Sequence, residues 1–172
     1  MNLNDLNSFS NSTEESRNVQ ARTTVLDRVR AMELFYNKIV LYTEKYLKAS
    51  NQEDEMAYCD SVTVGFNNYV QIFMDLIEII QLNSKDCAFL SDKLISYINY
   101  YKRMFDDMSF DEKIMIDFLI RRNDLIHQYM NYQELTVSVI NKFIPHSIGL
   151  KTIIDRLQVK LKRDGLLDLI ID

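Results

Sequence analysis

"SFDEKIMIDFLIRRNDLIHQYM", residues 109–130, reads as one helix with its start written into it. Ser109 followed three residues later by Glu112 fits a capping box. In that arrangement the hydroxyl accepts the Glu112 N–H and the carboxylate accepts the Ser109 N–H. Behind the cap, at about 100° of rotation per residue, Ile116, Leu119, Ile126 and Met130 fall within one apolar stripe. Such a stripe must be covered by another element, and the flanking sequence supplies helices on both sides.

Upstream, Val25, Leu26, Val29, Met32, Phe35, Tyr36, Ile39, Val40, Tyr42 and Leu47 recur mostly every three or four residues, a strongly amphipathic helix over 25–47. "KASNQEDE", 48–55, is a polar break, and a second long helix is expected over about 53–82. The apolar density of "FNNYVQIFMDLIEIIQL" marks it as the central helix, with Gly65 expected to weaken or bend it. "NSKD", 83–86, is a second break with Ser84 as a candidate cap, and a third helix runs through "FLSDKLISYINYYKRMF", 89–105. Downstream, "NYQE" at 131–134 repeats the cap spacing with Asn131 and opens a fifth helix. Pro145 interrupts it, and a last helix carries "LKTIIDRLQVKLKR", 150–163, with Gly165 as its C-terminal cap. "STEE" at 12–15 has the composition of a helix start, while residues 1–12 read as a loose, Asn- and Ser-rich tail.

Composition agrees. Three Gly and one Pro in 172 residues are too few for the turns of an all-β fold. The expectation is an all-α protein: a flexible tail over 1–12, then one domain over 13–172. That domain is a single bundle of five to six helices with an antiparallel up-down core. Two cysteines, Cys59 and Cys87, are too few for a disulfide framework and read as free thiols. No signal peptide pattern opens the chain and no apolar run approaches the roughly 20 residues that span a bilayer, so a cytoplasmic protein without membrane contact is expected.

Net charge is −5, which speaks against generic nucleic-acid binding, but it is unevenly spread. Residues 1–120 hold 12 Lys and Arg against 19 Asp and Glu, whereas residues 121–163 hold 8 against 3. A solvated helix face is the ordinary meaning of such a basic run; a local anion site is the other.

Within 121–131 the polar residues are oddly placed. With Arg122 at zero, Asn123 lies at about 100° and His127 at about 140°, within or beside the apolar stripe. An amide or imidazole buried without partners costs roughly 1–3 kcal/mol. Either the fold supplies hydrogen bonds, with Asp117 or Asp106 a candidate partner for Arg122, or the stripe faces a wet groove or a second subunit. Two separated histidines with no acids around them do not make a zinc site; no metal or cofactor is expected, and His146 is given no role.

"RNDLIHQY", 122–129, resembles the signature of the HEPN superfamily of small helical bundles: Arg, often followed by Asn, then His a few residues on. The spacing of Arg122, His127 and Tyr129 (Arg, four residues, His, one residue, Tyr) is similar to that of HepT-like toxins. The following "MNYQELTVSVINKFIP" also resembles what comes next in those proteins: a turn, an amphipathic helix and a Pro.

The resemblance implies a metal-independent endoribonuclease, the toxin of a toxin–antitoxin pair, acting as a homodimer with a composite site. On that resemblance His127 would be general acid or base around the ribose 2′-hydroxyl and the leaving 5′-oxygen. Arg122 would stabilise the transition-state charge, and Asn123 would orient the phosphate or the imidazole. Tyr129 would be the residue modified with AMP by a nucleotidyltransferase antitoxin. Lys142, Lys151, Arg156, Lys160, Lys162 and Arg163 could draw RNA phosphates weakly and with strong salt dependence. Two alternatives stand beside it: a non-catalytic HEPN-like module that binds a nucleotide or a nucleotidyltransferase, and a plain helical interaction protein.

Overall fold

The computed structural model describes residues 23–85, 93–127 and 132–171, with side chains at all of these except 121–127, 132–139 and 142–144. The described chain runs β1 (Thr23–Thr24), α1 (Val25–Leu47), α2 (Gln52–Ser84), α3 (Lys93–Met104), α4 (Phe110–His127), α5 (Tyr132–Arg163), β2 (Ile170–Ile171). It is an all-α helical bundle with one small β pair. The expected tail over 1–12 and the helix start at 12–15 lie outside the described residues.

α1 covers the 25–47 read from its periodicity, and a capping box sets its start. Asp27 N–H donates to Thr24 Oγ1 at 3.1 Å, and Thr24 N–H donates to Asp27 Oδ2 at 2.9 Å. After Lys48–Asn51 the chain doubles back: Tyr42 packs on Tyr58 at 6.2 Å between ring centroids, and Ile39 meets Gly65 farther along. Gly65 does not break α2, which continues to Ser84. A Cβ there would stand 3.0 Å from Ile39 Cγ1, so its absence lets the two helices approach closely.

α2 is central. Phe66, Tyr69, Phe73, Leu76, Ile77 and Ile80 are buried. Phe73 meets Tyr101 of α3, Phe66 meets Phe118 of α4, and the Tyr69 hydroxyl donates to the Leu150 carbonyl of α5 at 2.7 Å. Ser84 closes α2 rather than opening α3: its hydroxyl donates to the Gln81 carbonyl, and Lys85 takes the left-handed cap with φ 58°.

The bundle is tied at its ends by backbone hydrogen bonds. Gly165, at φ 69°, ends α5 in a Schellman motif, with Leu166 N–H on the Leu161 carbonyl and Gly165 N–H on that of Lys162. The chain then returns to the start of α1, where Leu26 and Val25 N–H donate to the carbonyls of Leu167 and Leu169, both at 3.0 Å. These N–H groups have no partner within their own helix, so the segment leading into β2 supplies one. Thr23 and Thr24 pair antiparallel with Ile171 and Ile170.

Candidate active site and the charge network beside it

The capping box read from Ser109 and Glu112 is present in both directions. Ser109 N–H donates to Glu112 Oε2 at 3.1 Å, and Glu112 N–H donates to Ser109 Oγ at 3.2 Å. From that cap α4 buries Met115, Ile116, Phe118 and Leu119 and stays helical to His127. Arg122, Asn123 and His127 therefore occupy the last two turns of one continuous helix. Arg122 and His127 are separated by about 7.5 Å of axial rise. The side chains of Arg122, Asn123 and His127, and all of Tyr129, lie outside the described residues. Asp117, a candidate partner for Arg122, is held by Lys102 at 2.9 Å.

Four of the cations expected on the basic run, Lys151, Arg156, Lys160 and Arg163, have intrachain partners. Lys151 bridges Asp155 at 2.7 Å and Glu33 of α1 at 2.9 Å, and these two hydrogen bonds, Asp155 first, hold its ammonium pKa above the usual value. Lys160 pairs with Asp164 one turn on. Arg156 is the most engaged. Its two terminal nitrogens reach Asp107 Oδ1 at 2.8 Å and the Asp107 carbonyl at 3.0 Å, while Nε reaches Glu112 Oε2 at 3.1 Å. Its guanidinium also lies over Phe105, 5.4 Å from the ring centroid. Lys142 belongs to α5 with its side chain outside the described residues, whereas Lys162 and Arg163 are exposed on the last turn of α5, Arg163 with its Nε 3.5 Å from Asp164 Oδ1.

Glu112 thus does more than cap a helix. It is fully buried, and its second oxygen accepts the Tyr101 hydroxyl at 2.6 Å. Burial first, and then that bond to a carboxylate, push the Tyr101 phenol far above its usual range, so it stays a neutral donor. Nothing in the capping pattern distinguishes this carboxylate from a solvated one. The signal that could have found it is the partner pattern, an Arg and a Tyr on two other helices. Around Phe105, Arg156, Val159, Lys160 and Arg163 the surface sinks into a groove of about 310 Å³.

His146, given no role from sequence, stands where α5 breaks, with φ −126° and ψ 15°. Pro145 before it has no N–H to give the helix, which explains the break. The His146 Nδ1 lies 2.6 Å from Asp111 Oδ1 in the first turn of α4, and its ring meets Phe110 edge-on at 5.8 Å. Gly149 permits this approach: a Cβ there would fall 2.3 Å from the Asp111 carbonyl oxygen.

Asp111 and His127 are sixteen residues apart on α4, about 24 Å, so the imidazole at the kink and the motif at the helix end are separate places in one chain. No described helix is long and apolar enough to cross a membrane. Comparison with protein-family models, curated proteins and solved structures finds no match.

Proposed function

We propose that this chain is a metal-independent endoribonuclease of the HEPN kind, the toxin of a toxin–antitoxin pair that cuts RNA at a composite homodimer site. The observation that carries the reading is Arg122, Asn123 and His127 on the closing turns of a capped helix in an all-α bundle, with Tyr129 completing the pattern in the sequence. His127 is the general acid or base, a task suited to an imidazole that exchanges protons near neutrality. Arg122 meets the charge that builds on the phosphoryl oxygens, where a planar two-pronged donor is effective. Asn123 orients the phosphate or the ring. Tyr129 is the site at which a partner nucleotidyltransferase adds AMP and silences the enzyme. The reading places the protein in the cytoplasm.

A second reading is favoured by the pairing of Lys151, Arg156 and Lys160 with the chain's own carboxylates. Cations so compensated offer less to an RNA backbone, and a non-catalytic module that binds a nucleotide or a nucleotidyltransferase needs no such surface. Two experiments separate them. Expression of the wild-type chain arrests growth and His127→Ala abolishes the arrest if the first reading holds; unimpaired growth with wild type speaks for the second. A strictly monomeric mass in solution contradicts the composite site.

A further inference from the structure

The first turns of α2 carry an exposed face of acids and apolar side chains. No residue from 44 to 61 is buried, so the tip of the α1–α2 hairpin projects beyond the core. At about 100° per residue, Glu53, Met56, Asp60 and Val64 fall within about 80° of one another on α2. Met56 and Val64 are 58% and 55% exposed. Residues 49–65 hold four acids, Glu53, Asp54, Glu55 and Asp60, and no Lys or Arg. Lys45 of α1 lies over the Tyr42 and Tyr58 rings, and Tyr58 stands about 140° from Glu53 around α2.

The groove beside α5 has the opposite charge and a matching length. Phe105 and Val159, the latter 68% exposed, line it with Arg156, Lys160 and Arg163, whose aliphatic stems add apolar wall. From Thr152 to Arg163 is eleven residues of helix, about 16 Å, and from Glu53 to Val64 is eleven as well. Asp155, the acid in the lining, is bound by Lys151. Arg156 is held by Asp107 and Glu112, but Arg163 reaches Asp164 only through Nε at 3.5 Å and is 70% exposed. The open charge is therefore at the last turn, where Lys160, Lys162 and Arg163 stand against the single acid Asp164.

We propose that the α2 face of one copy of this chain docks in the α5 groove of a second copy, head to tail. Met56 and Val64 meet Phe105 and Val159, and the α2 acids lie toward Lys160, Lys162 and Arg163. An amphipathic helix laid in an apolar groove, with opposite charges at its edge, is a common mode of recognition. One chain cannot close this contact on itself. Lys151 bonds Glu33, so the groove starts level with Glu33 and runs toward the start of α1, where Leu26 meets Leu167. Gly65 lies against Ile39, six residues beyond Glu33, and the α2 face runs from there the opposite way, to the hairpin tip. Because the two surfaces differ, the contact is heterologous and leaves one of each free at the ends of an assembly.

The contact goes beyond the ribonuclease reading and does not rest on it. Sedimentation equilibrium of the full chain, from micromolar to near-millimolar concentration, measures it, and the wild-type mass rises with concentration. Met56→Lys with Asp60→Lys spoils the face, and Val159→Glu with Arg163→Glu spoils the groove. Each pair of changes weakens association at least about tenfold. All four side chains are exposed, so the fold is kept. Mixed in equal amounts, the two variants restore one contact, because each still carries the surface that the other lacks, and the mass rises again. A wild type that stays monomeric overturns the proposal, as does a mixture no heavier than its components. Association unchanged in both variants also overturns it and places the subunit contact elsewhere, as a composite motif site would.

Discussion

Arg156 Nε lies 3.1 Å from Oε2 of Glu112, a carboxylate with no exposure to solvent, and this bond joins the last arm of α5 to the start of α4. Removing the cation leaves a buried charge without its counter-ion, whereas removing the charge leaves only unmet hydrogen bonds. Arg156→Met is therefore expected to lower unfolding free energy by about 2–4 kcal/mol, discounted because the guanidinium still touches water. Glu112→Gln should lose less. Urea denaturation midpoints compare the two, and the reverse order would refute the role given to Glu112.

Gly149 and Gly65 make opposite tests. An added Cβ at Gly149 would meet backbone, 2.3 Å from the Asp111 carbonyl oxygen and 2.9 Å from the Glu112 nitrogen. Neither can rotate away, so Gly149→Ala is expected to destabilise by at least about 2 kcal/mol despite the better helix propensity of Ala. At Gly65 the added methyl meets Ile39 Cγ1, a side chain and not backbone, so Gly65→Ala should cost less than Gly149→Ala. Thermal unfolding of both variants measures the contrast.

Thr43 is buried in α1, and its Oγ1 has no hydrogen-bond partner among the described residues. Replacing the hydroxyl by a methyl of nearly the same shape removes a desolvation penalty. Thr43→Val should raise unfolding free energy by about 1 kcal/mol. A loss of stability would show that the hydroxyl is satisfied in solution.

The acid limb of stability has identifiable sources. The hydrogen bond from Lys160 holds the Asp164 carboxyl below its usual value, and that from Arg156 does the same for Asp107. A carboxyl lowered on folding stabilises the native state above its unfolded pKa, and that contribution disappears as pH falls through the folded value. Asp164→Asn should flatten the fall in melting temperature between about pH 4 and about pH 2 and reduce stability at neutral pH. Parallel acid limbs in the two proteins would count against this assignment.

Much of the bundle was legible because it rests on local rules. The period of α1, the Ser109–Glu112 box, the polar break after Leu47 and Gly165 at the end of α5 each need only a few neighbouring residues. β1 and β2 were not legible, since two-residue strands have no periodicity and their pairing joins the two ends of the described chain. The pairing of the α5 cations is only partly local: Asp155 and Asp164 stand four residues after Lys151 and Lys160, whereas Glu33, Asp107 and Glu112 lie on other parts of the fold and leave no trace in the run itself. His146 was passed over for the same reason: Asp111 is 35 residues away in sequence. The proposed catalytic trio is different, since Arg122, Asn123 and His127 were chosen by their spacing, and the backbone adds one thing, an unbroken helix beneath them.

Cleavage of a labelled single-stranded RNA in EDTA, followed under single-turnover conditions, bears most closely on that trio. Wild-type protein should cut the RNA without added metal, and His127→Ala should slow the reaction by at least about 100-fold, the contribution ordinary for a positioned acid–base group. RNA left intact by the wild type, or cut equally fast by the variant, would contradict the ribonuclease reading.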